Sequence, residues 1–242
     1  MRTTLAVAFL VIALACTASA QISFGFKGGL DMAKLSGDGW DDAAQYMEST
    51  VDDKSLTGAA FGVVMAMPLG KGGFSLQPEV LYVMKGAEAD ITNPDLIAEG
   101  YDDVSMKLKQ NYLEVPVLIK YTFPTQGSIS PNLFAGPFAA INLSSELEWV
   151  NAPPEAAEEL GEGDIENAAS VDFGLTFGGG VSFAVGPKGK LTLDVRYTLG
   201  MAGIFDDLDG EEENGKLYLT DENDEGLDFK NQDIRVMVGF FF

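Results

Sequence analysis

The sequence predicts an all-β fold, an eight-stranded antiparallel up-and-down transmembrane β-barrel. Three observations predict it. Apolar residues recur at every second position in eight segments, which is the strand period. The connections between those segments alternate between short and long. The charges inside the segments fall on the face opposite the apolar one.

The 242-residue chain opens MRTTLAVAFLVIALACTASAQ. Arg2, the apolar run over 4–15 and Ala18-Ser19-Ala20 before Gln21 form the pattern of a secretory signal peptide. The run is too short, and wrongly flanked, for a spanning helix. The expected organisation is a cleaved signal over 1–20 and one barrel domain over 21–242. Cys16 is the single cysteine and departs with the signal, and histidine is absent. Disulfides, thiolate nucleophiles, serine–histidine triads and histidine-based zinc sites are thereby excluded. A formal charge of −22 argues against nucleic acid as a partner, because phosphate binding needs Lys and Arg. Beyond the signal no apolar run reaches the ~18 residues of a transmembrane helix.

The strands are expected in order at about 22–34, 57–68, 73–85, 107–123, 131–143, 171–185, 191–201 and 233–242. The first shows Phe24, Phe26, Leu30 and Met32 on one face, and the second Phe61, Val63, Met65 and Met67. The third shows Phe74, Leu76, Val80, Tyr82 and Met84, and the fourth runs from Leu113 through Val115, Val117, Ile119 and Tyr121 to Phe123. Leu133, Ile141 and Leu143 mark the fifth; Phe173, Leu175, Phe177, Val181, Phe183 and Val185 mark the sixth. In the seventh, Leu191, Leu193, Val195, Tyr197, Leu199 and Met201 share a face. In the last, Ile234, Val236, Val238, Phe240 and Phe242 do so, which separates Phe240 and Phe242 from Phe241. Most segments span about 10–13 residues, close to the ~9–11 that a tilted strand needs to cross a bilayer. Tyr82, Tyr121, Tyr197, Phe240 and Phe242 are candidates for interfacial girdles.

Short connections, LGKGG, PTQGSIS and GPKGK, follow the second, fourth and sixth segments. Long ones, at about 36–56, 86–106, 144–170 and 202–231, follow the first, third, fifth and seventh. This alternation marks a barrel with its long loops outside the cell. The long loops hold 31 of the 37 acidic residues. The other six are Asp31, Glu79, Glu114, Asp172, Asp194 and Asp233, and all oppose the apolar face, as do Lys27, Lys85, Lys120, Arg196 and Arg235. A barrel with charges inside and an aromatic-aliphatic exterior suits lipid. The competing reading, a soluble lipocalin-like ligand-binding barrel, requires the opposite arrangement. Pro78, Pro116 and Pro137 fall inside expected strands, where each removes a ladder hydrogen bond; bulges there would accommodate them.

The stretches FGFKGGLDMAKL (24–35), LQPEVLYVMKG (76–86), NYLEVPVLIKY (111–121), FAGPFAAINL (134–143) and LDVRYTLGM (193–201) together resemble the PorT-like outer-membrane β-barrel family of Bacteroidetes-type bacteria. The resemblance covers most of 22–242 outside the long loops. It implies the outer membrane of a Gram-negative cell, no catalytic motif and no cofactor. It also implies that the prolines of QPE, EVP and GPF are family features. By the same resemblance, the closing strand with Val238, Phe240 and terminal Phe242 looks like the signal read by outer-membrane assembly machinery.

Two site readings follow. The eleven interior charges form either a salt-bridge plug or a functional set, a selectivity lining or a proton path. The plug is preferred, because an eight-stranded interior is only wide enough for its own side chains. In DENDEGLDFKNQ, Asp221, Asn223 and Glu225 occupy calcium-loop positions, but Gln232 stands where the bidentate glutamate belongs. With Asp207 and Asp209 they are weak divalent-cation ligands at most. Glu158 and Glu159 belong to a solvated acidic tract. No nucleophile or oxyanion site is present, so an enzyme is not expected. The expected role is structural or surface-interactive in the outer membrane, with membrane lipid, lipopolysaccharide and divalent cations as partners; a small porin is the alternative.

Overall fold

The structure, a computed structural model, describes residues 22–37, 39, 49–98, 100–153, 162–187, 189–206 and 228–242. The expected signal peptide, Trp40, Glu158, Glu159 and the cation candidates Asp207, Asp209, Asp221, Asn223 and Glu225 lie outside these residues.

Eight long strands close into an antiparallel barrel. They are β1 (Ser23–Ser36), β2 (Thr50–Pro68), β3 (Phe74–Thr92), β4 (Val104–Thr122), β5 (Ile129–Val150), β7 (Val171–Val185), β8 (Gly189–Gly200) and β9 (Lys230–Phe241). A two-residue β6 (Gly163–Asp164) pairs with β5 at Glu146 and Leu147, and a short helix α1 (Pro94–Ala98) joins β3 to β4. Each long strand pairs with the next, and β9 pairs with β1 from Gly25↔Phe241 to Ser36↔Lys230. Over the height that all eight strands share, the sheet therefore has no open edge, as a barrel in lipid requires. No helix of the described residues is long and apolar enough to cross a membrane.

The exterior is apolar around the girth. Phe26 is 61% exposed, Leu30 60% and Leu133 57%. Outer rings pair between neighbouring strands: Phe61 with Tyr82, Phe74 with Tyr121, and Phe177 with Tyr197, at 4.7–5.4 Å between centroids. Phe240 and Phe242 point outward, whereas Phe241 is 1% exposed and points inward. A greasy exterior around a charged interior rules out the soluble lipocalin-like barrel.

Two expectations are corrected. First, β2, β3 and β5 continue well into the segments expected as loops at 36–56, 86–106 and 144–170, beside a β4 that begins close to its expected start, so one wall of the barrel is taller than the other. This upper part of the wall, the extension together with the first residues of β4, has the opposite polarity. Its outer face carries Lys54, Glu88, Asp90, Lys107, Lys109 and Glu148, which pair as Lys54–Asp90, Lys107–Glu88 and Lys109–Glu148. Its inner face buries Ala87, Leu108 and Leu147. Alternation read as a single phase breaks at that change, which is why the strands look shorter in sequence. Trp149 accordingly sits in β5, packed against this inner apolar cluster rather than in a loop.

Second, the prolines are not at bulges. Register is unchanged across Pro78↔Val117, Pro116↔Phe138 and Pro137↔Leu175. The ladder only skips pairs beside Pro78 and Pro116 and then resumes, because a proline forfeits one N–H and no more. The register shifts lie elsewhere. One is in β2 between Ser55 and Ala60; the other is where β4 Asn111 and Tyr112 face β5 Ser144 and Asn142, leaving Leu143 extra.

Candidate functional site

Inward-facing side chains from every strand fill the barrel in layers. Alternation along each strand sends the charged residues inside. Glycines make room for them. A Cβ on Gly180 would stand 2.5 Å from Asp194 Oδ1, and one on Gly178 2.8 Å from the Phe134 ring.

The layer nearer the short turns is built around Glu79. Arg196 donates to both its oxygens, Nη1 to Oε2 at 2.8 Å and Nη2 to Oε1 at 3.3 Å. Lys27 Nζ reaches Oε1 at 3.0 Å and Asp194 Oδ2 at 2.5 Å, and Gln77 Nε2 donates to Glu79 Oε1 at 2.7 Å. Lys120 Nζ is 3.9 Å from Asp194 Oδ1. The ring of Phe134 lies among the three cations, 5.3 Å from Arg196, 5.8 Å from Lys120 and 6.0 Å from Lys27. Such cation–π contacts soften the cost of burial.

The next layer is built around Arg235. Its Nε donates to Asp31 Oδ1 at 2.7 Å, and its Nη1 and Nη2 fork onto Glu114 at 2.6 and 2.9 Å. Nη2 also donates to Asp233 Oδ2 at 2.9 Å. Lys85 Nζ lies 2.9 Å from Glu114 and 3.6 Å from Asp233, over the rings of Phe138 and Tyr112. Asp172 is held by Asn231, whose Nδ2 donates to its Oδ2 at 3.1 Å.

The charges are therefore sorted along the axis. Around Glu79 and Asp194 stand Lys27, Lys120 and Arg196, an excess of positive charge. Around Lys85 and Arg235 stand Asp31, Glu114, Asp172 and Asp233, an excess of negative charge.

Beyond the acidic layer the lumen is apolar. Leu35, Ala87, Leu108, Leu147, Ile165, Ile204, Phe205 and Phe229 form one buried cluster. The roots of the third and fourth long loops contribute to it and are tied across by backbone bonds. Ala169 N–H donates to Ile204 O at 2.8 Å, Ile204 N–H to Phe229 O at 3.0 Å, and Asp206 N–H to Asn167 O at 2.8 Å. Outside this cap the pair with Asp90 raises the Lys54 ammonium above its ordinary pKa, chiefly through their hydrogen bond.

All eleven charges expected inside are buried there, 0–3% exposed. Gln77, Tyr112, Phe134, Asn231 and the apolar cap also line the interior, outside the set expected from the sequence. The first four sit on the inner face by the same alternation; only their lack of charge kept them from notice. Among the described residues no group of three His, Cys, Asp or Glu is arranged to hold a metal ion.

No curated protein matches the chain in sequence. Among solved structures, it is similar to OprG from Pseudomonas aeruginosa, with 12% identity over 93% of this chain and 98% of that one and a TM-score of 0.43. It is also similar to Neisserial surface protein A, with 17% identity over 92% and 99% and a TM-score of 0.39. A third is the Yersinia pestis attachment invasion locus protein Ail, solved with the heparin analogue sucrose octasulfate, with 11% identity over 92% and 99% and a TM-score of 0.40. Residues 17–206 match the outer membrane protein beta-barrel domain, and the chain belongs to that family.

Proposed function

We propose that this protein is a non-conducting outer-membrane barrel with a structural or surface-interaction role and no catalytic activity. One observation carries the reading: the lumen is filled along its height, first by two salt-bridged layers and then by the apolar cap. Ions would have to displace buried charge pairs and cross an apolar constriction that excludes water. Planar-bilayer recording of the refolded chain should give no steady conductance. A stable unitary current would refute the plug and establish the alternative, a small porin.

The finer PorT-like resemblance fits this reading, as does a signal peptide removed after Ala20. The strand ending in Val238, Phe240 and Phe242 is proposed as the mark read by the outer-membrane assembly machinery. The long loops carry most of the acid. They hydrate the cell surface and, through divalent cations held weakly by Asp207, Asp209, Asp221, Asn223 and Glu225, bridge to anionic lipopolysaccharide. Calorimetric titration with Ca²⁺ should release heat above that of a loop-deleted control; equal heats would remove the cation bridge and leave only hydration.

A further inference from the structure

We propose that the short-turn mouth of the barrel, periplasmic in this architecture, binds a phosphate-class oxyanion. The mouth contains a cavity of about 190 Å³ lined by Thr122, Ser130, Ser182 and Lys190. Ser130, Ser182 and Thr192 stand side by side across β5, β7 and β8, so hydroxyls converge from three strands. Lys190 Nζ is held 4.6 Å from the Phe241 ring centroid, which fixes it at the opening.

Just inside lie three buried donors without a hydrogen-bond partner among the described residues: Lys120 Nζ, Asn132 Nδ2 and Thr192 Oγ1. Their residues are 3%, 2% and 0% exposed. Buried donors in native proteins are normally satisfied, and these three occupy strand positions next to the cavity's lining residues, Asn132 opposite Thr122 and Thr192 opposite Ser182, where a bound anion would satisfy them. Asn132 lies beside Thr122 on one strand and Gly180 on the other, one inward step from Ser130.

The charge balance points the same way. The carboxylates of this layer are engaged by Arg196 and Lys27 at Glu79 and by Lys27 at Asp194 Oδ2, while Asp194 Oδ1 is buried without a hydrogen-bond partner among the described residues. Lys120 has only a 3.9 Å approach to Asp194, and no ion pair to Lys190 occurs among the described residues. The short turns LGKGG, PTQGSIS and GPKGK contain no acid that would repel an anion. A tetrahedral oxyanion offers acceptors in several directions, which matches ammonium, amide and hydroxyl donors arriving from four strands. Free phosphate and a phosphomonoester headgroup share that chemistry. The site does not depend on whether the barrel conducts.

The test uses the full barrel refolded in dodecyl maltoside and titrated with inorganic phosphate, with the backbone amides of Ser130 and Ser182 followed by NMR. A saturable shift is expected. Lys190→Gln and Lys120→Met should each weaken it at least about tenfold, while Lys54→Gln on the opposite rim leaves it unchanged. Lys190 is only partly buried, so its variant should keep the heat-modifiable migration of a folded barrel. Dihexanoyl phosphatidic acid, added below its micellar concentration, separates the sources. Competition assigns a phosphomonoester headgroup, phosphate binding without competition assigns the free ion, and either supports the site. No saturable shift up to roughly 50 mM phosphate, or a shift retained in folded Lys190→Gln, overturns it.

Discussion

Replacing Arg235 by methionine keeps most of the side-chain volume and deletes the charge. In the structure that guanidinium donates to Asp31, Glu114 and Asp233 at 2.6–2.9 Å. Without it, Asp31, Glu114, Asp172 and Asp233 face Lys85 as their remaining interior base. Removing one partner of a buried ion pair typically costs ~3–5 kcal/mol, because the other charge stays buried and uncompensated. Arg235→Met should cost that much at neutral pH. Glu114→Gln alone should cost about 1–3 kcal/mol, since Lys85 and Arg235 each lose a charged acceptor. The double variant is the informative one, because the charge deleted on one side no longer lacks an answer on the other. Its cost should fall short of the sum of the singles by at least about 1.5 kcal/mol, the coupling expected of residues in one network. Urea titration in lipid vesicles, read by heat-modifiable gel migration and tryptophan fluorescence, supplies the three free energies. Additivity within about 0.5 kcal/mol would refute the claim that these groups act as one network.

Gly180→Ala would place a methyl 2.5 Å from Asp194 Oδ1 and 2.3 Å from Leu193 O, so it should lower stability by ~1–3 kcal/mol in the same urea assay. Lys54→Ala, by contrast, removes only an exposed pair with Asp90 and should change stability by less than about 0.5 kcal/mol. Deleting Phe242, 60% exposed on the lipid face, should reduce outer-membrane yield more than Phe241→Leu, whose side chain points inward; equal yields in membrane fractions would contradict a terminal assembly signal.

Facing was legible in the sequence, whereas height and partnership were not. A two-residue period fixes which side of the sheet a residue takes, so the inward direction of Glu79 and Arg196 follows from their neighbours alone. It does not reveal that these two meet, because they are 117 positions apart and meet across the lumen. Their meeting depends on the stagger of the strands, which the register alone determines. The division of the interior into a basic mouth and an acidic middle was hidden for the same reason. Six acids and five bases read as nearly balanced until each acquires a height. Lys190 looked like one more turn lysine, although β8 begins at Gly189 and carries it to the mouth of the lumen.

The strands outrun their expected ends because the outward-facing residues change from apolar to charged, and the structure gives that change a location. On β3, Met84 is the last exposed apolar residue; Glu88 and Asp90 follow on the same outer face. The β5 bulge sits at this level, since Met84 pairs with Asn111, and Asn111 with Ser144 beside the extra Leu143. The β2 irregularity falls there too, between Ser55 opposite Ala87 and Ala60 opposite Val83. Each inserts one residue and thereby exchanges the faces of everything beyond it. On β5, Ile141 and Leu143 face outward, whereas Leu147, of the same parity, lies inside the cap. Strands β3 and β4 achieve the same exchange by composition, with outer Lys107 and Lys109 opposite inner Leu108. Four adjacent strands thus change polarity at one height by two different devices. A change of solvent explains that coincidence: below this level the outer face meets lipid, and above it meets water, where apolar side chains must turn inward to form a core.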